Sequence, residues 1–113
     1  MHEVGIMQAT LELAEQQAKA SGATVIHKLR VRVGALSGVV PEALEQAFEV
    51  LRQGTLAERG ELEIETVAAT CWCGRCQQEF PAPDYFYTCP RCGELSGELR
   101  RGRELQLVSL EIS

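Results

Sequence analysis

Two pairs of cysteines restrict this chain more than any other feature. Cys73-Gly74-Arg75-Cys76 is followed, after twelve intervening residues, by Cys89-Pro90-Arg91-Cys92. Each Cys-x-x-Cys hook offers two sulfurs to one ion, and four thiolates at about 2.3 Å make a closed tetrahedral zinc site. Gly74 and Pro90 suit the tight turns within the hooks, and Gly93 suits the backbone leaving the second. The doubled spacing points to structural zinc. A rubredoxin-like iron site and a redox dithiol are the other uses of the same spacing. A disulfide reading is disfavoured, because no secretory leader precedes the cysteines and a reducing cytoplasm is expected. A closed four-thiolate site leaves no coordination position for a substrate, so it explains folding and not activity.

The chain has 113 residues, enough for one domain or for a small domain plus a metal-stapled module. Its net charge of −5 argues against general nucleic-acid binding. No apolar run approaches the ~20 residues that a membrane-spanning helix needs.

Hydrophobic periodicity divides the rest. Val4, Met7, Leu11, Ala14 and Ala18 recur at helical spacing, which predicts a helix over residues 4 to 20 with Gly22 as its stop. Leu29, Val31 and Val33 alternate with Lys28, Arg30 and Arg32, which predicts a strand over 25–33 with a basic outer face. Pro41 opens a second helix whose stripe is Leu44, Ala47, Phe48 and Leu51. Residues 61–67 form a second strand, with Glu61, Glu63 and Glu65 outward. A strand–helix–strand unit closes as a right-handed parallel pair, which sets the three basic residues beside the three glutamates. Residues 104–112 form a third strand. Leu105 and Leu107 are in one phase and Val108, Leu110 and Ile112 in the other, so a bulge is expected near 107–108.

The expected fold class is therefore α+β: a small mixed three-stranded sheet with two helices, plus an inserted zinc-ribbon-like module carrying the four cysteines. Residues 1–69 and 104–113 form the first unit, and residues 70–103 form the module with its return linker. Trp72, Phe80, Tyr85, Phe86 and Tyr87 give the module an aromatic core to supplement its metal. Its five arginines stand against four acids, Glu79, Asp84, Glu94 and Glu98, too small an excess for binding phosphates. Arg100, Arg101 and Arg103, with Gly102, read as the solvated return linker.

A second chemical signal is Met1-His2-Glu3. The α-amine and the amide nitrogen of His2 close a five-membered chelate ring, and that amide and the imidazole Nδ1 close a six-membered one. A square of nitrogens favours Ni(II) or Cu(II) over zinc. The donors must lose protons to bind, so affinity falls in acid. On these residues alone a frayed terminus is the simpler reading.

Taken in order, Met1-His2-Glu3, Val33-Gly34-Ala35-Leu36-Ser37, Ala47-Phe48-Glu49, the two hooks, Glu104-Leu105 and Leu110-Glu111-Ile112 resemble the HypA/HybF family, nickel-delivery chaperones of [NiFe]-hydrogenase maturation. The resemblance spans essentially the whole chain. It implies Ni(II) carried as transient cargo by His2 and Glu3, with the Met1 amine joining, and structural Zn(II) held by Cys73, Cys76, Cys89 and Cys92. It implies a HypB-type nickel GTPase and the immature hydrogenase large subunit as partners, and no catalytic residues. It leaves monomer or homodimer open, as it does service to urease. Cys71, outside the hooks, reads as a spare thiol. His27, in phase with Leu29 and Val31, reads as structural and near the core edge. A zinc-ribbon nucleic-acid or protein-binding module and a rubredoxin-like electron carrier stand as alternatives.

Overall fold

Strand β1 (Ile26–Gly34) is the axis of the fold, because both of its neighbours hydrogen-bond to it and its apolar residues supply the core. The structure is a computed structural model that describes residues 2–82 and 87–113; Met1, and Asp84, Tyr85 and Phe86 of the module, lie outside the described residues. Helix α1 (Glu3–Ala20) precedes β1 and helix α2 (Pro41–Leu51) follows it. Strand β2 (Glu61–Val67) then pairs with β1 in parallel, and β6 (Leu105–Ile112) pairs with its other edge antiparallel. The result is the expected mixed sheet, in the order β2-β1-β6.

The charge patterns of the two strands are matched in this register. Lys28, Arg30 and Arg32 face Glu61, Glu63 and Glu65 one for one. Lys28 and Arg30 both reach Glu63, at 2.8 and 3.2 Å, and Arg32 reaches Glu65 at 3.3 Å. On the opposite face Leu29, Val31 and Val33 are buried against Met7, Leu11, Leu44 and Phe48 from the two helices. Val4, expected on the stripe of α1, is 60% exposed, and the buried stripe begins at Met7.

Two bulges set the phase of the antiparallel pair. Arg30 faces Ser109 and Val31 faces Leu107, so Val108 is the extra residue, where the switch in hydrophobic phase predicts it. The bulge returns Leu107, Leu110 and Ile112 to one side, against the core. A second irregularity lies between Ile26 and Lys28. It buries Ile26 and turns His27 outward, which corrects the expectation that His27 follows the phase of Leu29 toward the core edge. The exposed His27 ring instead sets Nε2 2.7 Å from Ser113 Oγ.

Between β2 and β6 the chain makes a second, antiparallel sheet of three short strands: β3 (Thr70–Cys73), β4 (Gln78–Pro81) and β5 (Glu98–Arg101), in the order β4-β3-β5. Arg100 and Arg101 are thus strand residues, and the return to the first sheet is shorter than the arginine-rich linker expected. Their side chains are engaged rather than merely solvated. The Arg100 guanidinium lies 4.5 Å over the Trp72 ring, and Arg101 pairs with Glu79 at 2.6 Å. Arg103 donates to the Tyr87 hydroxyl at 2.7 Å.

Candidate metal centre

Alternation along β3 turns Cys71 and Cys73 to one face, where both are buried. The first hook begins at Cys73, at the end of β3, and the turn leads into β4. In that turn the Cys76 amide donates to Cys73 Sγ at 3.4 Å. The second hook is closed by backbone bonds: the Gly93 amide donates to the Cys89 carbonyl and the Cys89 amide to the Glu94 carbonyl, both at 2.9 Å. In each hook the residue after the second cysteine is left-handed. That residue is Gln77 (φ 54°) in the first and Gly93 (φ 76°) in the second.

The geometry that follows is that of a tetrahedral site. The Sγ atoms of Cys73, Cys76, Cys89 and Cys92 all lie within 4.8 Å of one another. Cys73 and Cys92 are 3.6 Å apart, far beyond a disulfide bond. Four sulfurs at Zn–S distance are separated by about 3.8 Å, so the donor set fits zinc in both number and spacing. Protonation follows from the crowding. The Cys76 thiol is pushed up to about 12, first by its hydrogen bond with Cys92 and then by burial. The Cys89 thiol is drawn down to about 7, chiefly by the Cys92 backbone N–H. One thiol ionises near neutrality while its neighbour resists, and a divalent cation is what allows all four to be thiolates together. Cys71 lies outside this group. It is fully buried, and burial pushes its thiol up, away from the reactive range.

The amino-terminal residues sit elsewhere. His2 is exposed immediately before α1, and its carbonyl accepts the first helical bond, from Ile6 N–H at 3.0 Å. The Glu3 carboxylate accepts a hydrogen bond from the Val40 amide at 3.1 Å, which with its own backbone N–H holds the carboxyl below its usual range. Both residues line one end of an open groove of about 750 Å³ between α1 and α2, whose walls include the exposed Val4 and Val50. Among the described residues the structure brings the four hook cysteines together, and it does not bring His2 or Glu3 to them. Sequence reasoning missed Val40 as the partner of Glu3, because a backbone N–H carries no mark in the residue type.

The whole chain can be set against known proteins. Residues 1–112 match the family model described as "Hydrogenase/urease nickel incorporation, metallochaperone, hypA". The chain belongs to the HypA family. A hydrogenase maturation factor HypA from Picosynechococcus sp. is 51% identical over 112 residues, covering 99% of each chain. Its counterpart from Acidithiobacillus ferrooxidans is 39% identical over the same span and coverage. The solution structure of the Ni metallochaperone HypA from Helicobacter pylori superposes with a TM-score of 0.68 at 26% identity, over 99% of this chain and 97% of that one. A second HypA solution structure gives 0.72, also at 26% identity, over 100% and 97%. The resemblance read from the ordered motifs is thereby borne out, and so is the α+β fold with its inserted four-cysteine module. HypA is a metallochaperone family of hydrogenase maturation rather than a family of enzymes. No described helix is long and apolar enough to cross a membrane.

Proposed function

We propose that this protein carries Ni(II) on its amino-terminal residues and delivers it to the [NiFe]-hydrogenase large-subunit precursor, while Cys73, Cys76, Cys89 and Cys92 hold a structural Zn(II). In this reading residues 1–69 and 104–113 are the nickel domain and residues 70–103 the zinc module. The observation that carries the proposal is the match of residues 1–112 to a nickel-incorporation metallochaperone family. The two sites then divide by chemistry. Zinc, when bound, acts as a tetrahedral staple for β3 and the two hooks, and its closed thiolate shell suits an ion that stays.

The amino terminus has the opposite character. His2 is exposed, and Glu3 N–H is the first amide of α1, without an intrahelical acceptor. The nitrogens of Met1, His2 and Glu3 lose protons on binding, so nickel is held at neutral pH and released in acid. The Glu3 carboxylate serves as a tether to Val40 N–H. The adjoining groove, with Val4 and Val50 exposed, offers a HypB-type GTPase an apolar surface beside the cargo. Five thiols without a disulfide among the described residues fit a cytoplasmic setting.

The decisive experiment is a nickel titration of zinc-loaded protein with its native start, beside His2→Ala and a form extended by two residues before Met1. One nickel with a square-planar d–d band in the native protein, lost in both variants, is the expected result. Equal binding by all three would remove the terminal residues from the site.

A further inference from the structure

The two sheets meet at a crossing that admits only glycine. A Cβ on Gly34 would lie 2.2 Å from the backbone carbon and oxygen of Gly102, and a Cβ on Gly102 would lie 2.8 Å from Ala69 Cα. Backbone bonds lock the crossing. Gly34 N–H donates to the Glu104 carbonyl at 2.8 Å, and Leu36 N–H to the Gly102 carbonyl at 2.6 Å. Ala35 N–H donates to the Val67 carbonyl at 2.8 Å, and Gly102 N–H to the Glu104 carboxylate at 2.8 Å.

The side chain that follows this crossing changes cores. Leu36 is 9% exposed and packs with Ala69, Cys71, Cys73, Phe80 and Ala82, the apolar cluster that also contains the hook cysteines. Three residues later Val39 is buried in the other core, with Leu29 and Phe48. Between them the turn is closed by Ser37 N–H to the Gly34 carbonyl at 3.0 Å and Val39 N–H to Ser37 Oγ at 3.2 Å. The next residue, Val40, donates its N–H to the Glu3 carboxylate. Within residues 36–40 the chain thus runs from the packing around the cysteines, through the helical core, to the start of α1.

We infer that Leu36 is a positioning residue through which zinc loading orders residues 35–40 and, by way of the Val40–Glu3 hydrogen bond, the first turn of α1. A small metal-stapled core folds with its ion. When the ion leaves, the surface that holds Leu36 is lost, and the short turn has one anchor, Val39, in place of two. The segment is the element with two states, ordered or loosened, that coupling between distant sites requires. The functional meaning of this coupling rests on the terminal nickel reading, but its physical test does not.

Hydrogen exchange of native protein, zinc-loaded and zinc-stripped, tests it without a variant. Stripping should speed exchange of amides 35–37, 39 and 40 and of Ile6 N–H, the first hydrogen-bonded amide of α1, by about tenfold or more, while β1 stays protected. Leu36→Ala should speed the same amides with the ion still bound, the Co(II)-substituted centre keeping its four-thiolate charge-transfer bands. It should also weaken the nickel d–d band, and Leu36→Met should restore both readouts. Protection of those amides unchanged by zinc removal, or unchanged in Leu36→Ala, would overturn the inference. Failure of native protein to bind nickel at its terminus would refute the proposed function and leave the exchange result standing.

Discussion

The two cores of this molecule are built from different materials. The first is hydrocarbon: Met7, Leu11, Ile26, Leu29, Leu44 and Phe48 are each at most 3% exposed, supplied by two helices and a strand. The second has Phe80 and the borrowed Leu36 as its large buried side chains among the described residues, with Cys71, Cys73, Cys89, Ala69 and Ala82 for the rest. Burial of large apolar side chains stabilises each by about 1.5–3 kcal/mol, which the first core does many times over and the second does rarely. The difference teaches that one region has hydrocarbon enough to hold itself together, while the other buries too little to do so without a further staple.

The strongest way to break that contrast is to remove the ion. Chelation, or Cys73→Ser, should abolish order in β3, β4 and β5 while leaving the helical circular dichroism in place. Trp72 is the chain's single tryptophan and lies in β3, so its fluorescence reports the module alone. An emission spectrum indifferent to chelation would sink the idea. Phe48→Ala is the reverse experiment. It should cost the first core about 3–5 kcal/mol, seen as a lower denaturant midpoint for the helical signal, with the Co(II) bands of the module intact.

A smaller change sharpens the comparison between the two hooks. Gln77 and Gly93 hold equivalent left-handed positions, but only Gly93 does so without steric cost. Gln77→Gly should stabilise the metal-loaded module by about 1 kcal/mol, less whatever the Gln77 Nε2 bond to the Gly74 carbonyl contributes. Metal retention against a competing chelator measures it, and a loss of affinity would show that the side-chain bond outweighs the strain.

The smallest effect belongs to the exposed charge ladder of the first sheet. Lys28 first, then Arg30, hold the Glu63 carboxyl below its usual range. A depressed folded pKa means that the contribution is present above the unfolded value and is lost as pH falls through the folded one. The stability difference between native protein and Glu63→Gln should therefore be greatest near neutrality, vanish in acid, and shrink in high salt. A difference constant across pH would deny the ladder any part.

Much of this was legible in the residues. The hooks carry their spacing openly, and opposite charges on two alternating strands announced that Arg30 and Glu63 would be neighbours. The phase switch at Leu107 and Val108 betrayed a bulge. What stayed hidden has physical causes. The strands β3, β4 and β5 are four residues each, too short for alternation to register against the cysteines. The outward turn of His27 stayed hidden because phase counted back from Leu29 and Val31 puts it inward; its one mark is the polar pair His27-Lys28 between the buried Ile26 and Leu29, a single break in alternation. The bond from Val40 to Glu3 joins a main-chain group to a side chain 37 positions away, so no pattern of residue types encodes it.

The strand order has a consequence for how the protein is made. Strand β1 is flanked by β2 on one side and β6 on the other, and the whole module is translated between those two neighbours. Residues 1–67 contain both helices and the parallel pair, yet one side of β1 waits for residues 105–112. The sheet closes only with the last strand of the chain, which follows both hooks. Cross-linking the two hooks through an ion would shorten the free length of chain between β2 and β6, and so lower the entropy cost of bringing the last strand back to β1.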